Sequence, residues 1–261
     1  MLEIKDLTIQ YGDKPPVVEN FSLSLKKGEI ITIVGESGSG KSTVLSSILG
    51  LLPNGGKIIS GDIIYNGNSM LSKSLNQWRE LRGTEITMIS QDSGGTLNPI
   101  RKIGKQFVEY IQTHSKMSAK EAEEKAKDMF SKVNLPDPEI IMKSYPHQLS
   151  GGMKQRVGIA MALTFHPKII LADEPTSALD VITQAQIVKE IMDLRKKFDT
   201  SIIMVTHNLG VAAYISDKII VMQNGKIVDA GNKNEVIENP KSEYTKKLLE
   251  AVPEIGGERL V

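Results

Sequence analysis

Apolar positions alternate with polar ones at Leu2, Ile4, Leu7 and Ile9, and again at Phe21, Leu23 and Leu25. A period of two predicts strands with one buried face. "KKGE" then turns the chain into "IITIV" (30–34), a continuous apolar run that suits a central strand covered on both faces. A helix is predicted from about Lys41 to Leu51, stopped by Gly50 and Pro53. The runs "ITMIS" (86–90), "IILA" (169–172) and "IIMV" (202–205) predict three more buried strands. "IIVMQNGKIVDAG" predicts a hairpin, because Asn224-Gly225 is a strong type I′ turn signal between two β-rich runs.

The pattern changes over residues 92–165. "SAKEAEEKAKDMFSKV" opens with Ser118 and carries Glu121 three residues later, a capping box. Ala122, Ala126, Met129, Phe130 and Val133 then share one helical face. A mostly helical block therefore interrupts an alternating strand–helix pattern, which predicts an α/β core with a helical insertion.

Composition narrows the class. The 261 residues fit one large domain or one domain with an insertion, and 40% hydrophobic residues suffice for a core. With 32 basic and 31 acidic residues the net charge is +1, so bulk charge argues neither for nucleic acid nor for a membrane surface. The absence of cysteine excludes disulfides, thiolate zinc sites and cysteine-ligated iron–sulfur clusters, and is compatible with a reducing cytosol. The first residues lack the apolar core of a signal peptide, and runs such as "IAMAL" fall far short of the ~20 residues needed to cross a bilayer. If the protein works at a membrane, another subunit is expected to do the crossing.

The chemistry begins at "GESGSGKST", which is Gly35, Glu36, Ser37, Gly38, Ser39, Gly40, Lys41, Ser42 and Thr43. It matches G-x-x-x-x-G-K-[ST], follows a predicted strand and opens a predicted helix. The glycines let backbone N–H groups wrap a phosphate chain. Lys41 is expected to reach the β- and γ-phosphates, and Ser42 to ligate Mg²⁺. "IILADEP" puts Asp173 and Glu174 at the end of a buried strand. One carboxylate there can hold Mg²⁺ through water and the other can act as general base, although two acids can also be a strand end meeting solvent. His207 in "VTHN" ends another apolar strand at the edge where α/β sheets bind ligands, where a neutral imidazole could hydrogen-bond a γ-phosphate. Gln91 occupies the matching place after "ITMIS" and could contact Mg²⁺ or the attacking water; alone it would be a surface glutamine. Tyr11 ends the first strand and either stacks on a purine or is a partly buried strand aromatic. Asp180 closes "PTSALD", a short loop from the acid pair or simply a helix cap. "LSGGMKQR" (149–156) adds a second anion-binding helix start at Ser150, Gly151 and Gly152.

In this order the motifs resemble the nucleotide-binding subunit of an ABC transporter, over nearly the whole chain. The resemblance implies a P-loop NTPase with a RecA-like core, an N-terminal antiparallel β subdomain and a helical signature subdomain. It implies one ATPase domain over 1–240, with the helical part at about 92–165, and a short C-terminal extension over 241–261. Tyr11 then stands as the aromatic adenine loop, 35–43 as Walker A and Gln91 as the Q-loop. "LSGGM" becomes the signature, "IILADE" Walker B, Asp180 the D-loop aspartate and His207 the switch histidine. The cofactors implied are ATP and Mg²⁺, the latter held by Ser42, Gln91 and Asp173, with Glu174, His207 and Gln91 catalytic. Two such domains pair head to tail in this family, which explains the second phosphate loop: Ser150, Gly151 and Gly152 would hold the partner's nucleotide.

"YPHQ", "SGGMKQR", "DEPTSALDVITQAQI" and the tail "NPKSEYTKKLLEAVPEI" are similar to the oligopeptide, dipeptide and nickel importer ATPases. Met153 replaces the usual glutamine of "LSGGQ", and "QDSGGTLNP" departs from the group's "QDPMTSLNP" where a membrane subunit would dock. Longer members carry a cysteine cluster after the tail; none is expected here. The partners implied are a second, distinct ATPase subunit, two transmembrane permease subunits and an extracytoplasmic solute-binding protein, with the chain peripheral at the cytoplasmic face of the membrane. No nucleic-acid partner is expected. The competing readings are an exporter cassette and a soluble ABC ATPase acting on nucleic acid or ribosomes. A GTPase lacks support because no N-K-x-D motif appears.

Overall fold

Residues 30–34 are all isoleucine, valine or threonine, and they form a strand buried at all five positions. The computed structural model describes residues 1–53, 55–177, 179–252, 254–255 and 258–259. The chain begins with β1 (Leu2–Tyr11), β2 (Val18–Leu25), β3 (Ile30–Val34), α1 (Lys41–Ile48), β4 (Gly56–Tyr65), β5 (Asn68–Ser69) and α2 (Leu75–Leu81). A mostly helical stretch follows: β6 (Ile86–Ile89), α3 (Ser93–Thr96), α4 (Ile103–His114), α5 (Ala119–Lys132), α6 (Pro138–Lys143) and α7 (Gly151–Leu163). Then come β7 (Ile169–Asp173), α8 (Val181–Phe198), β8 (Ser201–Thr206), α9 (Leu209–Ile215), β9 (Lys218–Gln223), β10 (Lys226–Asn232), α10 (Lys233–Glu238) and α11 (Glu243–Glu250). Two residue pairs, Glu254–Ile255 and Glu258–Arg259, end the described chain as a short antiparallel ladder. The chain divides into two compact units, Met1–Trp78 with Ser201–Val261, and Arg79–Thr200.

The first unit holds two sheets. β2, β1, β4 and β5 form an antiparallel sheet in that order. The alternation read in the sequence is realised here, since Leu2, Ile4, Leu7, Ile9, Phe21, Leu23 and Leu25 are all buried. In the second sheet β3 lies between β8 and β9, parallel to both, and β10 pairs antiparallel to β9. Ile202, Ile203, Met204 and Val205 are buried on β8, as a strand covered on both faces requires. The β9–β10 hairpin turns at Asn224 (φ 49°) and Gly225 (φ 78°), the two positive values a type I′ turn demands. α1 ends three residues before the expected Leu51. The Leu51 N–H reaches back to the Ser46 carbonyl and that of Gly50 to Ser47, a closure that ends the helix before Pro53 is reached.

The second unit carries the parallel pair β6–β7 and the helices α3 to α8. It reaches beyond residues 92–165 to include β6, β7 and α8. Both halves of the capping box form at α5. The Ser118 N–H donates to Glu121 Oε2 at 2.8 Å, and the Glu121 N–H donates to Ser118 Oγ at 3.3 Å, a start worth about 1 kcal/mol. Ala122, Ala126, Met129, Phe130 and Val133 are buried as the helical spacing requires, and the Phe130 ring lies 5.2 Å from that of Phe107 on α4. Arg156 on α7 makes a largely buried ion pair with Glu190 on α8, 2.8 Å apart, tying these two helices together. Among the described residues no helix is long and apolar enough to cross a membrane.

Candidate functional site

The phosphate loop leaves the carboxyl end of β3. Val34 pairs with Thr206 of β8 on one side and with Val221 of β9 on the other, so Gly35, His207 and Met222 follow at one edge of the sheet. A Cβ on Gly35 would stand 2.2 Å from the Met222 carbonyl oxygen. Only glycine lets the loop start this close to β9. Gly38 (φ 83°) and Gly40 (φ 96°) bend the loop through left-handed conformations, and beyond Gly38 there is open space. Glu36, Ser37, Gly38 and Ser42 are exposed, whereas Gly35, Ser39, Gly40 and Lys41 are buried and Thr43 is half-buried. Gly40 caps α1 without a side-chain acceptor, and the first helical turn contains no acidic residue. Such a turn suits an anion.

Lys41 is 5% exposed, and its ammonium donates to the carbonyls of Gly35 (2.8 Å) and Glu36 (2.7 Å). The charge is thus parked on the loop's own backbone. His207 is exposed at the end of β8, immediately before Asn208, whose side chain caps α9 by accepting from the Gly210 and Val211 N–H groups. Tyr11 ends β1 opposite Gly56 of β4. Its half-buried ring passes over that glycine, 2.7 Å from where a Cβ would be, so the absent side chain sets where the ring lies.

The second unit brings together the acidic pair and Gln91. Ile89 of β6 pairs with Ala172 of β7, so Gln91 and Glu174 both stand two residues past the same rung of the ladder. Gln91 is exposed, and Asp173 and Glu174 are half-buried. Glu174 holds φ at 43°, a left-handed conformation that costs a residue with a side chain roughly 1–3 kcal/mol and is concentrated at functional sites. Ser150 caps α7, its hydroxyl accepting from the Met153 N–H at 3.3 Å. Behind it the signature glycines are packed by side chains the sequence did not single out. Leu179 lies 3.4 Å from a Cβ built on Gly151, and Thr183 lies 2.9 Å from one on Gly152. Asp180 caps α8: its carboxylate accepts from the Thr183 N–H (3.0 Å) and hydroxyl (2.7 Å), and the backbone bond, then the hydroxyl, hold its pKa below the usual range. The capping alternative is therefore realised. Ala178, inside the same loop, lies outside the described residues.

The donor sets fit nucleotide and Mg²⁺ in kind. Gly38 and Ser42 are exposed, with open space beyond Gly38, and the Lys41 ammonium lies buried against the loop's own carbonyls. Among the described residues no group of three or more His, Cys, Asp or Glu could hold a metal by itself.

The ABC transporter family profile matches residues 18–177. The oligopeptide transport ATP-binding protein OppD of Bacillus subtilis is 44% identical over 257 residues, covering 97% of this chain and 72% of that protein. The metal-staphylopine import system ATP-binding protein CntD of Staphylococcus aureus is 42% identical over 252 residues, covering 95% and 92%. Among solved structures, the ATP-binding cassette MJ0796, a dimer in a post-hydrolysis state bound to ADP and Pi, superposes with a TM-score of 0.77 at 29% identity, covering 89% of this chain and 99% of that one. The chain cbiO1 of Clostridium perfringens, part of the transporter complex cbiONQ, superposes with 0.79 at 27% identity, covering 97% and 95%. With the profile spanning more than half of its length and such relatives matching nearly all of it, this chain belongs to the ABC transporter family, as an ATPase component.

Proposed function

We propose that this chain hydrolyses ATP at the cytoplasmic face of a membrane to drive uptake of peptides or of nickel and other metal chelates. Two transmembrane permease subunits, an extracytoplasmic solute-binding protein and a second, distinct ATPase subunit complete the assembly. One observation carries the ATPase: the buried Lys41 ammonium under an open, glycine-bent loop that opens a helix free of acid. The solute class is supported by the names of relatives, which are peptide transport and metal-staphylopine import proteins. The ATPase domain spans 1–240 in this reading, and 241–261 is an extension.

Each residue then has a task. Tyr11 stacks on the adenine. The backbone N–H groups of 35–43 wrap the phosphates, and Lys41 turns from the loop carbonyls to the β- and γ-phosphates. Ser42, Gln91 and Asp173 would hold Mg²⁺, which would neutralise phosphate charge. Gln91 orients the attacking water, Glu174 takes its proton on a carboxylate oxygen, and His207 hydrogen-bonds the γ-phosphate. Asp180, at the head of α8, sits in the D-loop.

Ser150, Gly151 and Gly152 bind the γ-phosphate held by the partner cassette, with the α7 N-terminus adding partial positive charge. ATP then joins the two cassettes and its hydrolysis releases them. Placing Ser150→Arg in this chain alone should abolish nucleotide crosslinking at the partner's phosphate loop and preserve it at Lys41 here. Loss at this chain's own loop with the partner spared would sink the in-trans role. For the solute, the purified complex in vesicles should show ATP-dependent uptake of a labelled dipeptide, oligopeptide or nickel chelate. Uptake of none of them, with export of another compound instead, would reject the importer.

A further inference from the structure

The phosphate loop is held from a second direction, by the far end of the chain. The Glu36 N–H donates to the Tyr244 hydroxyl at 2.9 Å, across 208 residues of sequence. The other end of the same peptide unit is the Gly35 carbonyl, which accepts from the Lys41 ammonium at 2.8 Å. A single peptide plane is thus fixed at both poles, by Tyr244 on its N–H and by the phosphate-binding lysine on its C=O. Hydrogen bonds in such a chain polarise one another.

Tyr244 is itself firmly placed. It stands in the first turn of α11, where the Ser242 hydroxyl accepts from its N–H at 3.1 Å. The buried carboxylate of Asp229 on β10 accepts from the N–H groups of Lys241 (2.8 Å) and Ser242 (3.3 Å), anchoring the entry to the helix. Leu249 of α11 is buried in one apolar cluster with Val34, the last residue before the loop, and Leu209, two residues past His207; the Tyr244 ring packs against this cluster. α11 therefore rests on both segments that lead to the nucleotide edge of the first unit.

We propose that Tyr244 is a positioning residue for nucleotide binding: its hydroxyl orients the Gly35–Glu36 peptide, and through it Lys41, before ATP arrives. This rests on the ATPase reading above. An oriented loop loses less freedom on binding than a loose one, so the hydroxyl contributes to affinity while the phosphoryl chemistry proceeds unchanged.

The test is Tyr244→Phe, which keeps the ring on the apolar cluster and deletes only the acceptor. In the full chain, KM for ATP should rise about 3- to 10-fold, the scale of one ordering hydrogen bond. Turnover at saturating ATP should stay within about twofold and the melting temperature close to that of the parent. Amide hydrogen exchange gives a second readout: Glu36 should be protected in the parent chain and should exchange faster in Tyr244→Phe. An unchanged KM in a folded Tyr244→Phe protein, or an unprotected Glu36 amide in the parent, would overturn the proposal. A parent chain that binds no ATP would instead overturn the ATPase reading.

Discussion

Glu174→Gln is expected to lower ATP turnover by at least about 10²-fold, the scale of general-base loss, while ATP binding persists. The carboxamide keeps the shape of the side chain and its capacity to accept one hydrogen bond, but it cannot take a proton from water at neutral pH. Two features single out this residue over Asp173 beside it. It stands level with Gln91 beyond the β6–β7 ladder, and it alone of the pair holds a left-handed backbone, φ 43°. The turn is stabilised locally, since the Glu174 carbonyl accepts from the Ser177 N–H (3.2 Å) and hydroxyl (3.1 Å). Those bonds are made by the Glu174 backbone and by Ser177, so the substitution leaves them in place. Because ATP stays bound unhydrolysed, the variant should also accumulate a nucleotide-bridged pair of cassettes, seen as a shift in size-exclusion chromatography with Mg²⁺ and ATP. Near-normal turnover by the purified Glu174→Gln assembly would remove Glu174 from its role.

Lys41→Ala acts earlier in the cycle. It should weaken ATP binding by roughly 10- to 10²-fold, the range expected for charge-assisted hydrogen bonds, as measured by titration with a fluorescent nucleotide. Lys41 is 5% exposed and its ammonium is already hydrogen-bonded to the Gly35 and Glu36 carbonyls. Much of the solvation cost of holding the charge there is therefore met in folding rather than in binding. The alanine variant leaves two carbonyls in a loop whose next residues are exposed, so water can replace the lysine and the melting temperature should move little. An affinity equal to that of the parent would show that the loop binds phosphate without its lysine. The pair of variants also separates the two halves of the proposed mechanism, because Lys41→Ala loses binding where Glu174→Gln keeps it.

The local elements were legible where each carried its own signal. β3 is five apolar or β-branched residues with a turn on either side, the β9–β10 hairpin is announced by Asn224-Gly225, and α5 carries a complete capping box with buried residues at helical spacing. These depend on backbone preference and burial within a few residues, so the order of residues suffices. β4 was not legible. Only Ile63 and Tyr65 are buried along its ten residues, glycine opens it and recurs at Gly61, and it becomes a strand because β1 lies alongside with matching donors and acceptors. α2 likewise lacks the long apolar period that would announce it.

The candidate site divides the same way. The residue types at 35–43 were readable from the G-x-x-x-x-G-K-[ST] spacing, and 150–152, 173–174 and 207 from their places at a helix start and at strand ends together with the order of the motifs. Their arrangement was not. Gly35 is glycine because of the Met222 carbonyl, Gly152 packs against Thr183, and the Glu36 N–H finds its acceptor on Tyr244. By itself the sequence determined the strands and helices with strong local patterns and the chemical groups available at the loops. Only the tertiary structure decided which distant side chain meets each loop, because those contacts arise when strands pair and helices pack across long stretches of chain, and no local period encodes them.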